Sequence, residues 1–224
     1  MHRKTKALVL IKFLFILSTI AQISVDVAAM TPSSPMRRLL SGKRVLVTGA
    51  GRGIGQAMAL ICNKHGAQVA ITSRTKEELE ETSQLALIGK GASTSSQEED
   101  AECTTTTTTI PMLEIVADVT KDSDVSTMVE TIVDQWGGLD ILINNAGGAQ
   151  RQKGPVDSVQ SQDLSSLLDL NVVALHRVTS SVLQKAMPTD GSIINISSRA
   201  GKVGLENMSL YVASKFAVEG MTGE

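Results

Sequence analysis

The sequence predicts an α/β fold in which helices cover both faces of a parallel sheet. Short apolar runs alternate along the chain with segments whose apolar residues recur at helical spacing. Each run is unbroken and is followed by a helix, which is typical of strands buried within a parallel sheet. With 224 residues, 42% of them hydrophobic, the chain can form one such domain and additional segments.

The first strand, turn and helix carry the clearest signal. Residues 44–48 form an apolar run that ends in glycines, and apolar residues at helical spacing follow from Ile54 to Ile61. The other strands are predicted at 68–72, 111–117, 139–143 and 192–196, and the other helices at 75–90, 125–136, 162–187 and 211–220. Gly137 and Gly138 end one helix, and Pro188 ends the long helix at 162–187.

Residues 1–29 are predicted to be a targeting segment that precedes a linker at 30–42. A basic start, an apolar stretch at 13–23 and the small residues at 27–29 favour a cleaved secretory signal peptide, and hence the endoplasmic reticulum. An uncleaved membrane anchor is the second choice, because it would bury Lys12 in the bilayer. Residues 31–44 are rich in Ser, Pro and Arg without an acid, so import into a mitochondrion or plastid is a third alternative.

Residues 91–109 do not follow the alternation of strands and helices. They contain six consecutive threonines and few apolar residues, so we expect a disordered low-complexity insertion on the surface. An extra edge strand is the alternative, because threonine favours strands.

Charge and cysteine content exclude several kinds of site. A formal net charge of −2 gives no electrostatic basis for binding nucleic acid. The two cysteines, Cys62 and Cys103, are too few for a disulfide framework and do not have the spacing of a metal site, so no metal is expected.

Glycines follow the first strand where a helix begins. At Gly49, Gly53 and Gly55, side chains would prevent a pyrophosphate from reaching the backbone N–H groups at the helix N-terminus. A glycine-rich run alone also fits a structural turn, but the strand before it and the helix after it favour a dinucleotide site. Arg52 and Ile54 belong to the same loop.

The end of the second strand indicates which dinucleotide is bound. An acidic residue about twenty positions after the glycines would bind the ribose hydroxyls and repel a 2′-phosphate. The sequence has Ser73 and Arg74 there, and Arg52 adds a second guanidinium. This pattern favours NADP(H) over NAD(H), although a solvated surface charge is the alternative for each arginine.

Tyr211 and Lys215 are spaced to share one face of the last predicted helix. Reduction of a carbonyl by a nicotinamide requires an acid for the developing alkoxide, and the reverse reaction requires a base. A free phenol ionises near a pKa of about 10, and a neighbouring ammonium lowers that value by stabilising the phenolate. An ordinary pair on a helix surface is the alternative.

The motifs Thr48–Gly55, Asn144-Asn145-Ala146-Gly147 and Tyr211–Lys215 occur in the order and at the spacings of one family. Through them, residues 43–224, apart from the insertion at 91–109, resemble the short-chain dehydrogenase/reductase family, including its 3-oxoacyl carrier-protein reductases. The resemblance implies a Rossmann-like doubly wound sheet, a small carbonyl or alcohol substrate, hydride transfer and a homo-oligomer. The motifs are shared by many members, so the particular substrate is not specified.

The resemblance also implies roles for individual residues. Tyr211 is the general acid/base, and Lys215 holds the nicotinamide ribose and lowers the pKa of the tyrosine. Ser198 orients the carbonyl, with Ser197 as the neighbouring candidate, and Asn171 helps to hold a water of the proton relay. The remaining cofactor contacts are Asp118, which meets the adenine ring, and Asn145, Ala146 and Gly147, which border the cofactor and stabilise the sheet.

Members of the family ordinarily continue into a sixth strand, a substrate loop and a seventh strand. We therefore expect a partial sequence or a truncated isoform with an exposed fifth strand, a fraying last helix and an incomplete oligomer interface. Weak or no activity follows, so the alternative function is a catalytically incompetent product that binds nucleotide or associates with a partner.

Overall fold

A computed structural model describes residues 38–88, 110–187 and 190–223. Within them, five parallel strands form one sheet in the order β3-β2-β1-β4-β5. The strands are β1 (Arg44–Thr48), β2 (Gln68–Ser73), β3 (Leu113–Val116), β4 (Ile141–Asn144) and β5 (Ser192–Asn195). The predicted targeting segment at 1–29 and the predicted insertion at 91–109 lie outside the described residues.

In the described parts of the chain, six α-helices connect and flank these strands. They are α1 (Gly53–Lys64), α2 (Lys76–Ile88), α3 (Asp122–Trp136), α4 (Ser161–Leu168), α5 (Ala174–Lys185) and α6 (Ser209–Thr222). The predicted Rossmann-like fold class is thus confirmed, with small differences in the bounds of its elements. None of the helices in the described ranges is long and apolar enough to cross a membrane.

The long helix predicted at 162–187 extends over 161–185, but it is not a regular α-helix throughout. A π-helical turn, Asp169–Val173, lies between α4 and α5 and contains the buried Asn171. Such turns insert an extra residue into the helical repeat and occur often at functional sites. Apolar periodicity does not reveal this turn, and its Asn171 makes long-range hydrogen bonds to Gly148 and Ser214.

Apolar side chains cover both faces of the sheet, which is why its strands read as continuous hydrophobic runs. From β1, Leu46 belongs to a cluster that includes Met128 of α3 and Val178 of α5. Neighbouring Val45 and Val47 face the other cluster, which draws on α1 and α2. Leu40, which the sequence assigned to the linker, packs against this second cluster, so the folded unit begins before residue 43.

The strand order places a crevice at the middle of the sheet. β1 pairs with β2 on one side and with β4 on the other, so the chain leaves the carboxyl ends of β1 and β4 in opposite directions. Open α/β sheets bind ligands at this kind of switch point. The glycine loop follows β1 there, and residues 145–147 follow β4.

Candidate active site

A cleft with a volume of 580 Å³ opens at the carboxyl ends of β1 and β4. Most of the predicted site residues line it: Gly49, Arg52, Gly53, Ile54, Gly55, Ser73, Arg74, Asp118, Asn145, Ala146, Gly147, Tyr211 and Lys215. Asn171 and Ser198 are not among its lining residues. The fold therefore brings together segments that are far apart in the sequence.

Glycine occupies three positions in the loop after β1 for different structural reasons. Gly49 has φ +64°, and a Cβ on it would lie 2.9 Å from Cα of Ala146. A Cβ on Gly55 would overlap the carbonyl oxygen of Gly49. Gly53 has φ +61° and open space around its Cβ position, at the first residue of α1. The close packing of this protein itself thus requires Gly49 and Gly55, whereas Gly53 leaves room for a ligand at the helix N-terminus.

Asn145 joins the ends of β1 and β4. Its Nδ2 donates to the carbonyl oxygens of Thr48 and Gly49, both at 3.0 Å. In return, Oγ1 of Thr48 accepts from the backbone N–H groups of Asn145 and Ala146. Asn145 is therefore a structural brace at the base of the cleft, and sequence reasoning missed the matching role of the Thr48 hydroxyl.

One rim of the cleft carries exposed charges. The Arg52 side chain is 86% exposed, and Arg74 is also exposed. Glu78, which sequence reasoning missed, lines the same rim with a carboxylate oxygen 3.9 Å from Nε of Arg52. This end of the cleft thus offers two guanidinium groups, one of which is paired with a carboxylate.

Asp118 is a fixed carboxylate on the same side. Its Oδ1 accepts from the backbone N–H of Thr120 at 3.0 Å and from the Thr120 hydroxyl at 2.7 Å. Partial burial opposes ionisation of Asp118, but these hydrogen bonds and the positive charges of Arg74 and Lys121 lower its pKa overall. The orientation of this carboxylate is consequently set by the turn after β3.

Tyr211 and Lys215 stand on the opposite wall. Nζ of Lys215 lies 5.9 Å from the centre of the Tyr211 ring, which confirms that both side chains share one face of α6. Lys215 is only 9% exposed, and its Nζ donates to the carbonyl oxygen of Ile196 at 2.9 Å. Burial lowers the pKa of Lys215, since a desolvated ammonium loses its hydration without gaining a carboxylate.

Asn171 is buried, and its side chain links the loop after β4 to α6 through hydrogen bonds. Its Oδ1 accepts from the backbone N–H of Gly148 at 2.8 Å. Its Nδ2 donates to the Gly148 carbonyl and to Oγ of Ser214, both at 3.0 Å. Both amide hydrogens are donated to acceptors within the protein. The side chain therefore connects the loop after β4 to the middle of α6.

The two serines after β5 have different surroundings. Ser197 lines the cleft, and its Oγ is buried. Ser198 is the N-cap of a short 3₁₀ turn, and its Oγ accepts from the backbone N–H of Ala200 at 3.1 Å. The choice between the two, made for Ser198 from its separation from Tyr211, stays a prediction.

The described residues offer neither a metal cluster nor a reactive thiol. No three His, Cys, Asp or Glu side chains in these ranges lie together in a way that could hold a metal ion. Cys62 is buried in α1, and burial raises the pKa of its thiol, which disfavours the nucleophilic thiolate. Cys103 lies outside the described residues.

Comparisons with known proteins agree on one family. The family model for short chain dehydrogenases matches residues 43–224. A mitochondrial borneol dehydrogenase from Lavandula x intermedia is 32% identical over 191 residues, covering 85% of this chain and 64% of the relative. An NADPH-dependent pterin aldehyde reductase from Arabidopsis thaliana is 30% identical over 198 residues, covering 86% and 73%, respectively.

A solved structure gives the same result in three dimensions. The crystal structure of an NAD⁺-bound xylitol dehydrogenase superposes with a TM-score of 0.68 at 31% identity, covering 82% of this chain and 64% of that chain. The present chain thus spans 64% of the length of both the borneol dehydrogenase and this structure.

Proposed function

This chain belongs to the short-chain dehydrogenase family, and we propose that it is an NADP-dependent oxidoreductase acting on a small carbonyl compound or secondary alcohol. The observation that carries the proposal is the position of Tyr211 and Lys215. They face a dinucleotide-type glycine loop across one cleft, at the switch point of the sheet. An acid/base group beside a cofactor site is the arrangement that hydride transfer to a carbonyl requires.

The residues present fit a nicotinamide dinucleotide. The open space at Gly53 lies at the N-terminus of α1, where backbone N–H groups and the helix dipole favour a pyrophosphate. Asp118 would accept from the adenine end, and Lys215 would donate to ribose hydroxyls at the other end. The bound cofactor would supply or accept the hydride.

The choice of NADP(H) depends on the charged rim. Arg74 and Arg52 can bind a 2′-phosphate by charge and by paired N–H groups. Glu78 opposes this, but its carboxylate lies within reach of the Arg52 guanidinium, which offsets part of its charge. The names of similar proteins include both an NADPH-dependent reductase and an NAD⁺-bound dehydrogenase, so the rim residues of this chain carry the preference.

The catalytic step requires one proton transfer from this chain. In reduction, the Tyr211 hydroxyl donates its proton to the carbonyl oxygen as negative charge develops there; in oxidation, the phenolate takes a proton from the alcohol. The Lys215 ammonium stabilises the phenolate electrostatically. Ser198 is proposed to hold the carbonyl oxygen through its hydroxyl. Asn171 is proposed to support the relay that returns the proton to Tyr211, and its bonds to Gly148 and Ser214 fix the helix that carries the pair.

The test is turnover by the purified 224-residue chain with NADPH or NADH and a panel of ketones and aldehydes, followed at the nicotinamide absorbance band. We expect reduction with NADPH preferred, and we expect Tyr211→Phe to reduce kcat by about 10³-fold while NADPH still binds. NADPH binding without any turnover would overturn the oxidoreductase proposal for this chain and favour a nucleotide-binding product. An unchanged rate for Tyr211→Phe would overturn the mechanism.

A further inference from the structure

The helix that carries Tyr211 and Lys215 begins without a cap of its own. Its N-cap residue is Met208, which has no side-chain acceptor, and the first helical bond runs from Val212 N–H to the Met208 carbonyl. Leu210 and Tyr211 are the second and third residues of the helix. Their backbone N–H groups are the ones that an N-cap side chain normally satisfies. They therefore need an acceptor from elsewhere in the fold.

Gln150 supplies that acceptor from a distant part of the chain. Its Oε1 accepts from the backbone N–H groups of both Leu210 and Tyr211, each at 3.2 Å. Gln150 lies in the loop after β4 and is only 6% exposed. Because its amide is buried, water cannot readily take over these two bonds if the side chain is shortened.

The other end of the Gln150 amide is also occupied. Its Nε2 donates to the Gln152 carbonyl at 2.8 Å and to the Asn207 carbonyl at 3.4 Å. Asn207 has φ +59°, a left-handed conformation just before α6, and its carbonyl also accepts from Gly154 N–H. One side chain thus fixes its own loop, the residue before α6 and the first turn of α6.

A second, independent link holds the next turn of the helix. Asn171 connects Gly148 of the same loop to the Ser214 hydroxyl. The backbone N–H of Tyr211 belongs to the first link, whereas Lys215 has its own bond to the Ile196 carbonyl. Loss of the first link would therefore free Tyr211 more than Lys215.

We propose that Gln150 is a positioning residue for Tyr211, acting as a long-range cap that fixes the acid/base relative to Lys215. The proposal rests on the function proposed above. If the cap is lost, the first turn of α6 frays, the phenol spends less time near the ammonium, and the phenolate loses stabilisation. Cofactor binding at Gly53 and Arg74 does not depend on this turn.

Two variants test the role of the Gln150 side chain. Gln150→Met keeps the length of the side chain but removes both acceptor and donor. Gln152→Met is the matched control in the same loop, because that side chain is exposed and makes only a 3.5 Å contact with the Ser158 carbonyl.

Two readouts do not require turnover. Tyr211 is the sole tyrosine of the sequence, so the NMR signals of its ring report this side chain alone. We expect these signals to broaden or move in Gln150→Met and to stay at their wild-type positions in Gln152→Met. Amide hydrogen exchange of residues 210 and 211 should become at least tenfold faster in Gln150→Met and should stay slow in Gln152→Met.

In steady-state kinetics, we expect the loss of the cap to lower kcat while the affinities for substrate and cofactor change little. Gln150→Met should lower kcat about tenfold or more, with the KM for the carbonyl substrate and the Kd for NADPH within about threefold of wild type. A folded Gln150→Met protein with wild-type tyrosine ring signals and amide exchange would overturn the proposal, as would an equal effect of Gln152→Met. If Gln150→Met fails to fold, fast exchange of these two amides in the wild type would overturn it. If the wild type has no turnover, the proposed function fails, and the two spectroscopic readouts still decide the role of Gln150.

Discussion

The two ends of the cleft are built in opposite ways. At the end predicted to hold adenosine, the charged groups are exposed or half-exposed, as in the Arg52 and Glu78 side chains at 86% and 33%. At the other end, proposed to be catalytic and called the catalytic end below, Lys215, Asn171 and Gln150 are buried at 9%, 2% and 6% exposure, and each binds residues from distant segments.

Under the proposed function, this difference separates the residues that select the cofactor from those that catalyse the reaction. Exposed charges interact through water and salt, so single contacts at the rim contribute about 1 kcal/mol or less to stability and can change without harm to the fold. Buried polar groups depend on each partner, because an unpaired one costs about 1–3 kcal/mol. We therefore expect rim substitutions to alter cofactor preference and substitutions at the catalytic end to reduce rate.

The largest effect is expected at Lys215. Lys215→Met should reduce kcat/KM by about 10³-fold, because it removes both the charge that stabilises the phenolate and a donor for the ribose. Steady-state kinetics with NADPH measures this loss. A decrease of less than tenfold would show that the catalytic end does not depend on its buried charge.

The pH dependence of the free energy of unfolding of Lys215→Met, relative to wild type, has an expected direction. Burial lowers the pKa of Lys215 in the folded state, so folding disfavours its charged form, and this cost is present below the folded pKa. As the pH rises from the folded pKa to the unfolded value of 10.5, wild type should gain stability relative to Lys215→Met. Urea unfolding of both proteins at pH 7 and at about pH 10 checks this, and a change in the opposite direction would refute it.

The second effect separates the two serines at the catalytic end. We expect Ser198→Ala to lower kcat by about 10²-fold, the usual loss of one hydroxyl donor to a developing oxyanion. Ser197→Ala is the matched control and should lower it less than threefold. The reverse result would assign the carbonyl contact to Ser197, whose position on the cleft wall already makes it the competing candidate.

The smallest effect is expected at the rim. Arg74→Ala should weaken NADPH binding about tenfold and leave NADH binding within about twofold, because only the 2′-phosphate loses a charged partner. Fluorescence titration with both cofactors measures the ratio, and the melting temperature should stay at the wild-type value. An equal loss for both cofactors would contradict a contact with the 2′-phosphate.

Most of the residues at the rim of the cleft could be predicted from local sequence patterns. The glycine loop, Ser73 and Arg74 lie in or beside single strand–turn–helix segments, and all of them line the cleft. Glu78 escaped notice because nothing in a charged amphipathic helix distinguishes the carboxylate that faces the cleft from those that face water. Its distance from Arg52 is a property of the folded loop.

The catalytic end was predictable only in its named motif. Tyr211 and Lys215 follow from helical spacing, since their proximity depends on one helix alone. Gln150 and Ser214 carry no such signal, because each becomes significant through a partner that is far away in the sequence. The π-helical turn at Asn171 likewise gives no local signal in the sequence, and apolar periodicity predicted a regular helix there.

The sequence by itself determined the order of strands and helices, the burial of the central strands, the glycine loop after β1 and the Tyr211–Lys215 pair. These depend on periodicity and on contacts within a few residues, which side-chain chemistry dictates locally. Tertiary structure alone decided which polar groups hold the helix of Tyr211 and Lys215, namely Gln150 at its first turn and Asn171 at the next. Those bonds join elements that only the closing of the sheet brings together, so their geometry is absent from any local stretch of the chain.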